Sequence, residues 1–219
     1  MKFKRQKVNK IFIVLLIFIM ALIFIIFFIK KDNKEEKMGN TIISQTKEQA
    51  LDYILNIDSY EATAEIEVIS NKNKNKYKVI QKYQKPNICI QEVVEPSNIK
   101  GLKTIYDGKN LKVENTKLNL STIYQNYSYL TQNNLWLTSF LEECKIQNNY
   151  TCSETKTEWI FQTQKNAQGI KKVLKIDKKT GKPIKLEVQD MNQKTFIYIV
   201  YNEIKINNLK GKNILALGK

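Results

Sequence analysis

The stretch Tyr60-Glu61-Ala62-Thr63-Ala64-Glu65-Ile66-Glu67-Val68 decides the fold class, because apolar and polar side chains alternate along it without interruption. A period of two is typical of a β-strand with one buried face. After a polar turn, residues 76–83 return with lysines that would lie opposite the glutamate row. Opposite charges across a strand pair favour an antiparallel register. The sequence therefore predicts an antiparallel hairpin at the start of a domain.

The residues that follow extend this hairpin into a sheet. Pro86 and Pro96 bound a third predicted strand, residues 87–95, because proline cannot donate to the ladder of a sheet. Asp107-Gly108 predicts a type I′ turn between strands 102–106 and 110–115. Four more strands are predicted over residues 157–164, 170–178, 183–191 and 194–203. The spacing is that of a meander of antiparallel strands.

Two helices are predicted between these strands. Thr46 and Gln49 fit a capping box at the start of the first helix. The second helix, residues 133–146, carries a one-sided stripe of Leu135, Trp136, Ser139, Phe140 and Cys144. Such a stripe needs a surface to cover it. The predicted fold is therefore α+β and mainly β, a curved antiparallel half-barrel with helices on its concave face.

Two of the predicted strands are apolar on both faces. In the third strand, Cys89 and Val93 face one way while Ile88 and Ile90 face the other. The last strand contains an unbroken apolar run, Phe196, Ile197, Tyr198, Ile199, Val200 and Tyr201. A helix or tail of this chain could cover the second face, or a partner could bind there by strand addition or exchange. These six residues are the candidate partner-binding residues.

Residues 11–29 form an apolar run of nineteen residues, which spans about 28 Å as a helix and matches a membrane's hydrocarbon core. Lysine and arginine dominate before the run, whereas acidic residues are mixed in after it. The positive-inside rule then places the N-terminus in the cytoplasm and residues 38–219 outside it. A cleaved signal peptide is the rival interpretation, but its apolar region is usually shorter and ends in small residues. The sequence therefore predicts a single-pass protein of the cell membrane.

This topology divides the chain into five parts. We expect a basic cytoplasmic tail (1–10), a transmembrane helix (11–29), a tether (30–44), an extracytoplasmic domain (45–206) and a C-terminal tail (207–219). About 180 residues follow the anchor, which is the size of one ordinary domain.

Composition excludes several classes of function. The net charge is +15, but Arg5 is the only arginine, and arginine is the residue that reads bases and clamps phosphates, so nucleic acid is not an expected partner. The chain has no histidine, which excludes a Ser-His-Asp relay and imidazole-ligated zinc. We therefore expect no enzymatic activity, no catalytic or metal-binding residue, and no cofactor.

The three cysteines leave two alternatives open. Cys144 and Cys152 lie eight residues apart, at the end of the second helix and in the loop after it, so a disulfide between them is geometrically feasible. The odd cysteine count weakens the case for a disulfide, so buried free thiols are the second alternative.

The run Val94-Glu95-Pro96-Ser97-Asn98-Ile99-Lys100-Gly101-Leu102-Lys103-Thr104-Ile105-Tyr106-Asp107-Gly108-Lys109-Asn110-Leu111 carries a family resemblance. A strand, then Pro96 and Gly101, then the hairpin Tyr106-Asp107-Gly108 resembles the core of the LolA-like superfamily of lipoprotein carriers. Within it, the chain is most similar to the clostridial germination lipoproteins of the GerS type and GerS-related proteins. The similar points are Tyr60-Glu61-Ala62 at the start of the first strand, the strand Tyr77 to Gln81, and the helix Asn134 to Leu141. The likeness covers residues 45–206 and lacks any catalytic signature.

The resemblance implies an eleven-strand half-barrel without enzymatic activity. For the GerS branch it implies sporulation and germination, with a cell-wall amidase that makes muramic-δ-lactam in cortex peptidoglycan as partner. GerS-type proteins carry a lipobox cysteine, whereas this chain has residues 11–29 in its place. The alternatives are a lipid- or lipoprotein-binding protein of the LolA type and a sensor of envelope stress, and a homodimer is left open.

Overall fold

The computed structural model describes residues 46–128, 133–147, 150–209, 211, 214 and 215. The chain divides into two compact units, residues 1–41 and 42–219, and every described residue belongs to the second. The predicted transmembrane segment, residues 11–29, lies outside the described residues. Within the described ranges, no helix is both long and apolar enough to cross a membrane.

Two helices and eleven strands make up the described domain. The helices are α1 (Lys47–Leu55) and α2 (Leu137–Gln147). The strands are β1 (Ser59–Ile69), β2 (Lys74–Gln84), β3 (Ile88–Glu95), β4 (Leu102–Tyr106), β5 (Leu111–Asn115), β6 (Leu120–Tyr124), β7 (Tyr150–Glu154), β8 (Glu158–Thr163), β9 (Lys171–Asp177), β10 (Pro183–Gln189) and β11 (Thr195–Ile206).

All eleven strands form one open antiparallel sheet in the order β6-β5-β4-β3-β2-β1-β11-β10-β9-β8-β7. Consecutive strands pair within two meanders, β1 to β6 and β7 to β11, and the pairing of β11 with β1 joins the meanders. The prediction of a mainly β, antiparallel domain is confirmed. Strands β6 and β7 form the two ends of the sheet.

The first hairpin has the register that its charges predict. Glu61, Glu65 and Glu67 of β1 lie opposite Lys82, Lys78 and Lys76 of β2. Lys82 and Glu61 form an ion pair at 3.2 Å, and Glu67 pairs with Lys74 at 2.8 Å. The opposite-charge row therefore lies on one face of the sheet, which we call the outer face.

The other face of the sheet is covered by both helices, and we call it the helix-covered face. The capping box of α1 is formed, since Gln49 N–H donates to the Thr46 hydroxyl and Thr46 N–H donates to the Gln49 side chain. From α2, Trp136 just before its first turn and Phe140 are fully buried against the sheet. The Trp136 ring lies 6.4 Å from that of Tyr60 on β1. The predicted packing of the second helix is confirmed.

The second face of β3 is covered by the end of the chain. Ile90 is buried with Leu209 and Ile214 in a small separate cluster, and Ile88 and Ile105 pack against it. Asn207 anchors this segment, because its side-chain oxygen accepts hydrogen bonds from the N–H groups of Asp58 and Ser59. Burial under this C-terminal segment explains why β3 carries apolar side chains on both faces.

Three local predictions are wrong. Strands β6 and β7 have no counterpart among the strands predicted from the residue pattern, although the family resemblance implied eleven strands. Cys152 therefore lies on a strand and not in a loop. Helix α2 begins at Leu137 and contains Cys144 inside it. The turn after Tyr106 is not type I′, because a type I′ turn needs two consecutive positive φ angles and only Gly108 (+97°) has one. Instead, the Asp107 carboxylate accepts hydrogen bonds from the N–H groups of Lys109 and Asn110.

Candidate functional site

Strand β11 was the candidate for strand addition, and its position in the sheet contradicts that mode of binding. One edge of β11 pairs with β1 and the other edge pairs with β10 over residues 195–200. A strand whose two edges are hydrogen-bonded offers no free backbone to a partner. Partner binding by the central part of β11 must therefore use its side chains.

The six candidate residues divide between the two faces. Ile197, Ile199 and Tyr201 belong to the helix-covered core, and Ile199 is fully buried. Burial gives these three a structural reason to be apolar. Phe196 is half-buried and packs against the edge of the same core. Tyr198 and Val200 lie on the outer face, where they stay accessible to a partner.

Tyr198 and Val200 line a groove of about 630 Å³ on the outer face, which we call the outer groove. Its walls come from β10, β11, β1, β2 and the end of β3, where the family-motif residue Pro96 also lines it. The charged residues of the walls are Glu65, Glu67, Lys74, Lys76, Lys78, Glu95 and Lys185. Val200 retains 36% of its surface, which is high for a valine in the middle of a large sheet. The groove therefore combines an apolar floor with charged walls.

Charges within the groove are paired with one another. Lys185 Nζ lies 4.5 Å from the centre of the Tyr198 ring, a cation–π geometry, and 2.9 Å from a Glu187 oxygen. Burial alone would raise the pKa of Glu187, but the hydrogen bonds and charges of Lys185 and Lys175 outweigh it, so the pKa is lowered. Hydrogen bonding from Lys74 likewise lowers the pKa of Glu67. Both carboxylates are therefore ionised at neutral pH, and they hold Lys74 and Lys185 in place.

The family-motif residues build turns in the described structure. Gly101 adopts a φ of +85°, its N–H donates to the Val93 carbonyl, and a Cβ there would come within 2.8 Å of the Thr116 hydroxyl. Pro96 begins the loop that Gly101 ends. Tyr106 donates its hydroxyl hydrogen to the Gly108 carbonyl at 2.9 Å. Hydrogen bonds from backbone N–H groups, with that of Asn110 the strongest, lower the pKa of Asp107.

A second concavity lies beside the helices. This crevice, of about 270 Å³, is lined by the end of α1, by α2 and by the turn between β2 and β3, with Leu55, Tyr83, Leu141 and Glu142 among its walls. Partial burial raises the pKa of Glu142, and the nearby charges of Lys172 and Lys145 only partly oppose that effect. The crevice is large enough for a small apolar group, and its one acidic lining residue is Glu142.

The cysteines in the structure are free thiols. Cys89 and Cys144 are buried and Cys152 is half-buried, so the free-thiol alternative describes all three. Burial raises the pKa of Cys144 to about 12, which leaves its thiol protonated and unreactive at neutral pH. Among the described residues, no three His, Cys, Asp or Glu side chains come together in a way that could hold a metal ion.

Lys185 is the groove residue that the sequence interpretation missed. It lies directly opposite Val200 in the β10–β11 pair. A period of two in residues 183–189, where Lys185 and Glu187 alternate with apolar residues, was the available signal. Only the pairing of β10 with β11 shows that this charged row borders Tyr198.

The open sheet with two helices on one face defines a mainly β class of domain. Solved structures that are similar to it include LolA superfamily proteins. An uncharacterised protein from Thermus thermophilus is 15% identical, covering 80% of this chain and 94% of its own, with a TM-score of 0.48. A LolA superfamily protein from Nitrosomonas europaea is 13% identical, covering 77% of this chain and 97% of its own, with a TM-score of 0.40. The complex of the CwlD amidase with the GerS lipoprotein from Clostridioides difficile contains a chain that is 25% identical, covering 74% of this chain and 97% of its own, with a TM-score of 0.45.

The chain belongs to the family of YdcC-like sporulation proteins, whose model matches residues 7–214. The match includes both the predicted transmembrane segment and the described domain. No curated protein matches the chain.

Proposed function

We propose that this protein is a non-enzymatic binding protein of the sporulating cell, anchored in the membrane by residues 11–29. Its extracytoplasmic domain partners a cell-wall amidase that acts on cortex peptidoglycan. Membership of the YdcC-like sporulation family supports the cellular setting. The choice of an amidase rests on the resemblance of residues 60–62, 77–81 and 134–141 to GerS-type proteins.

The observation that carries a binding role is the outer groove. Tyr198 and Val200 form an accessible apolar centre, and ionised, mutually paired side chains surround it. An apolar centre within a polar rim is the usual anatomy of a protein interface, and tyrosine is enriched at its energetic centre. The Lys185 contact holds the Tyr198 ring, so little side-chain freedom is lost on binding.

A genetic experiment tests the proposal. Deletion of the gene should remove muramic-δ-lactam from the spore cortex and impair germination. A chain with Val200→Glu should fail to restore both, because the charge enters the apolar centre of the groove. Met191→Glu is the matched control, since Met191 is an exposed apolar residue in a turn outside the groove. Normal muropeptides in the deletion strain would overturn the proposal.

The interaction itself is measured separately. Amidase from sporulating cells should co-purify with the full chain and with the Met191→Glu variant, but not with the Val200→Glu variant. Equal recovery with all three chains would place the contact outside the outer groove.

The membrane anchor has its own test. Protease added from outside should cut residues 38–219 and leave the N-terminal segment in the membrane, whereas a mature N-terminus beyond residue 30 would contradict the anchor.

Lipid binding is the second candidate function, and the crevice beside α1 and α2 favours it. Leu55, Tyr83 and Leu141 offer an apolar wall to an acyl chain. Against it, Trp136 and Phe140 fill the helix-covered face, which is where an apolar cargo would otherwise lie. Lipid extraction from purified chain decides between the two. Stoichiometric lipid, lost in a Leu141→Glu variant, would support lipid handling.

A further inference from the structure

The crevice beside α1 and α2 is lined by a polar stripe of α2 that the core does not use. Thr138, Glu142 and Lys145 are spaced by four and three residues, so their side chains lie on one face of the helix. The face of α2 that enters the core is a different one and carries Phe140 and Cys144. Packing of the core therefore gives no reason for the three residues of this crevice stripe.

The crevice stripe has no hydrogen-bond or ion-pair partner for its side chains in the described part of the chain. Thr138 retains only 3% of its surface, yet its hydroxyl oxygen is buried without a hydrogen bond. The charges of the half-buried Glu142 and the exposed Lys145 interact, but neither side chain forms an ion pair or a hydrogen bond there. The adjacent Glu143 differs, because it pairs with the buried Lys172 at 2.8 Å. A buried hydroxyl without a partner is costly, which favours a ligand that bonds to it.

The rest of the crevice is apolar or already paired. Leu55, Ile57 and Leu141 give it apolar walls. The Lys85 ammonium group, also in the lining, is 3.0 Å from the Asp58 carboxylate. The volume of about 270 Å³ exceeds the ~150 Å³ of an engineered cavity that holds one benzene molecule. The crevice therefore has room for one side chain of leucine or phenylalanine size together with a small polar head.

We propose that the crevice binds a free apolar α-amino acid of leucine to phenylalanine size. The apolar side chain of the ligand lies against Leu55 and Leu141. Its ammonium group lies beside Glu142 and its carboxylate beside Lys145. Threonine in a helix populates two χ1 rotamers, so the Thr138 hydroxyl can turn toward the polar head of the ligand. The inference goes beyond the proposed function and does not rest on it, because the outer groove contains none of these residues.

The spacing of the two charges selects this class of ligand. Side chains three residues apart on a helix are neighbours, with Cβ atoms ~5–6 Å apart, so Glu142 and Lys145 favour a ligand whose opposite charges are close together. An α-amino acid carries both charges on one carbon atom. An acyl chain has no positive charge and would leave Glu142 without a partner beside an apolar tail. An apolar side chain of a partner protein would leave all three residues of the crevice stripe unpaired.

Isothermal titration calorimetry of the full chain in phospholipid nanodiscs tests the inference. L-Leucine and L-phenylalanine are the probes, and at least one of them should bind with one-to-one stoichiometry. Its N-acetyl derivative lacks the ammonium group and its amide lacks the carboxylate, so each should bind roughly tenfold more weakly. Absence of binding by both amino acids would overturn the inference. Equal affinity for the amino acid and either derivative would also overturn it, because one of the two charges would then not be recognised.

Substitutions on α2 locate the ligand. Glu142→Gln should weaken binding roughly tenfold, because it removes the charge that pairs with the ammonium group. Thr138→Val should weaken it roughly threefold, and the variant should fold normally because the hydroxyl has no partner to lose. Glu92→Gln is the matched control and should bind as wild type does, since Glu92 is an exposed residue of β3 outside the crevice. Circular dichroism confirms that each variant folds.

Two results would contradict the placement of the ligand in the crevice. Unchanged affinity in both Glu142→Gln and Thr138→Val would mean that the amino acid binds elsewhere. Stoichiometric lipid on the purified chain, lost in a Leu141→Glu variant, would show that an acyl chain occupies the crevice instead.

Discussion

The two faces of the sheet differ in their contributions to stability and to recognition, and six residues of β11 show this difference. Ile197, Ile199 and Tyr201 lie in the helix-covered core, whereas Tyr198 and Val200 line the outer groove. Side chains alternate across a strand, so one apolar run can serve both roles. Stability is concentrated on the first face, and the surface available for recognition lies on the second.

The largest expected change in stability comes from truncating a buried side chain on the helix-covered face. Trp136→Ala should lower the free energy of unfolding by about 3–5 kcal/mol, because Trp136 is fully buried between α2 and the sheet. Urea denaturation followed by circular dichroism measures it. Met191→Ala, at an exposed turn, should change stability by less than about 0.5 kcal/mol. A loss below about 1 kcal/mol at Trp136 would mean that this face does not carry the stability of the domain.

A matched pair of substitutions on β11 sharpens the comparison. Ile199→Thr should cost about 2–4 kcal/mol, since it removes apolar volume and buries a hydroxyl in the core. Val200→Thr, one residue later, keeps the branched shape on an accessible face and should cost less than about 0.5 kcal/mol. Denaturation midpoints of the two variants at equal slope give the result. Similar losses from both would remove the distinction between the faces.

The smallest expected effect concerns the charges of the outer face and depends on pH. The lowered pKa of Glu187 means that its ionised form stabilises the fold fully above its ordinary value of 4.5. That contribution disappears as the pH falls from 4.5 through the lowered folded value, and solvent screening keeps it below about 1 kcal/mol.

Glu187→Gln should therefore lose stability relative to wild type at pH 7, and the difference should be smaller at pH 3. Urea midpoints at the two pH values measure it. Glu92→Gln, which removes an exposed carboxylate of β3, serves as the charge-matched control. A Glu187→Gln chain that follows wild type at both pH values would show that these ion pairs are energetically neutral, which would leave the outer face without any stabilising role.

The sequence predicts strands correctly where one face of the strand is buried. Residues 60–68 alternate because their apolar members are buried, and the charge row of β2 then determined the register correctly. It failed for Leu120–Tyr124 and Tyr150–Glu154, which form the ends of the sheet. Nearly all their residues are exposed, so no burial imposes a period of two.

Local sequence patterns are sufficient to predict the strands with one buried face, the capping box of α1, the burial of Trp136 and Phe140, and the charge row of the first hairpin. Each depends on residues close together in the chain, whose periodicity and side-chain chemistry are local. The pairing of β11 with β1 is visible only in the tertiary structure. Because of this pairing, both edges of the candidate strand are hydrogen-bonded and half of its candidate side chains lie in the core. The tertiary structure is also what places the tail over β3. These contacts join distant parts of the chain, and packing of the whole sheet selects them.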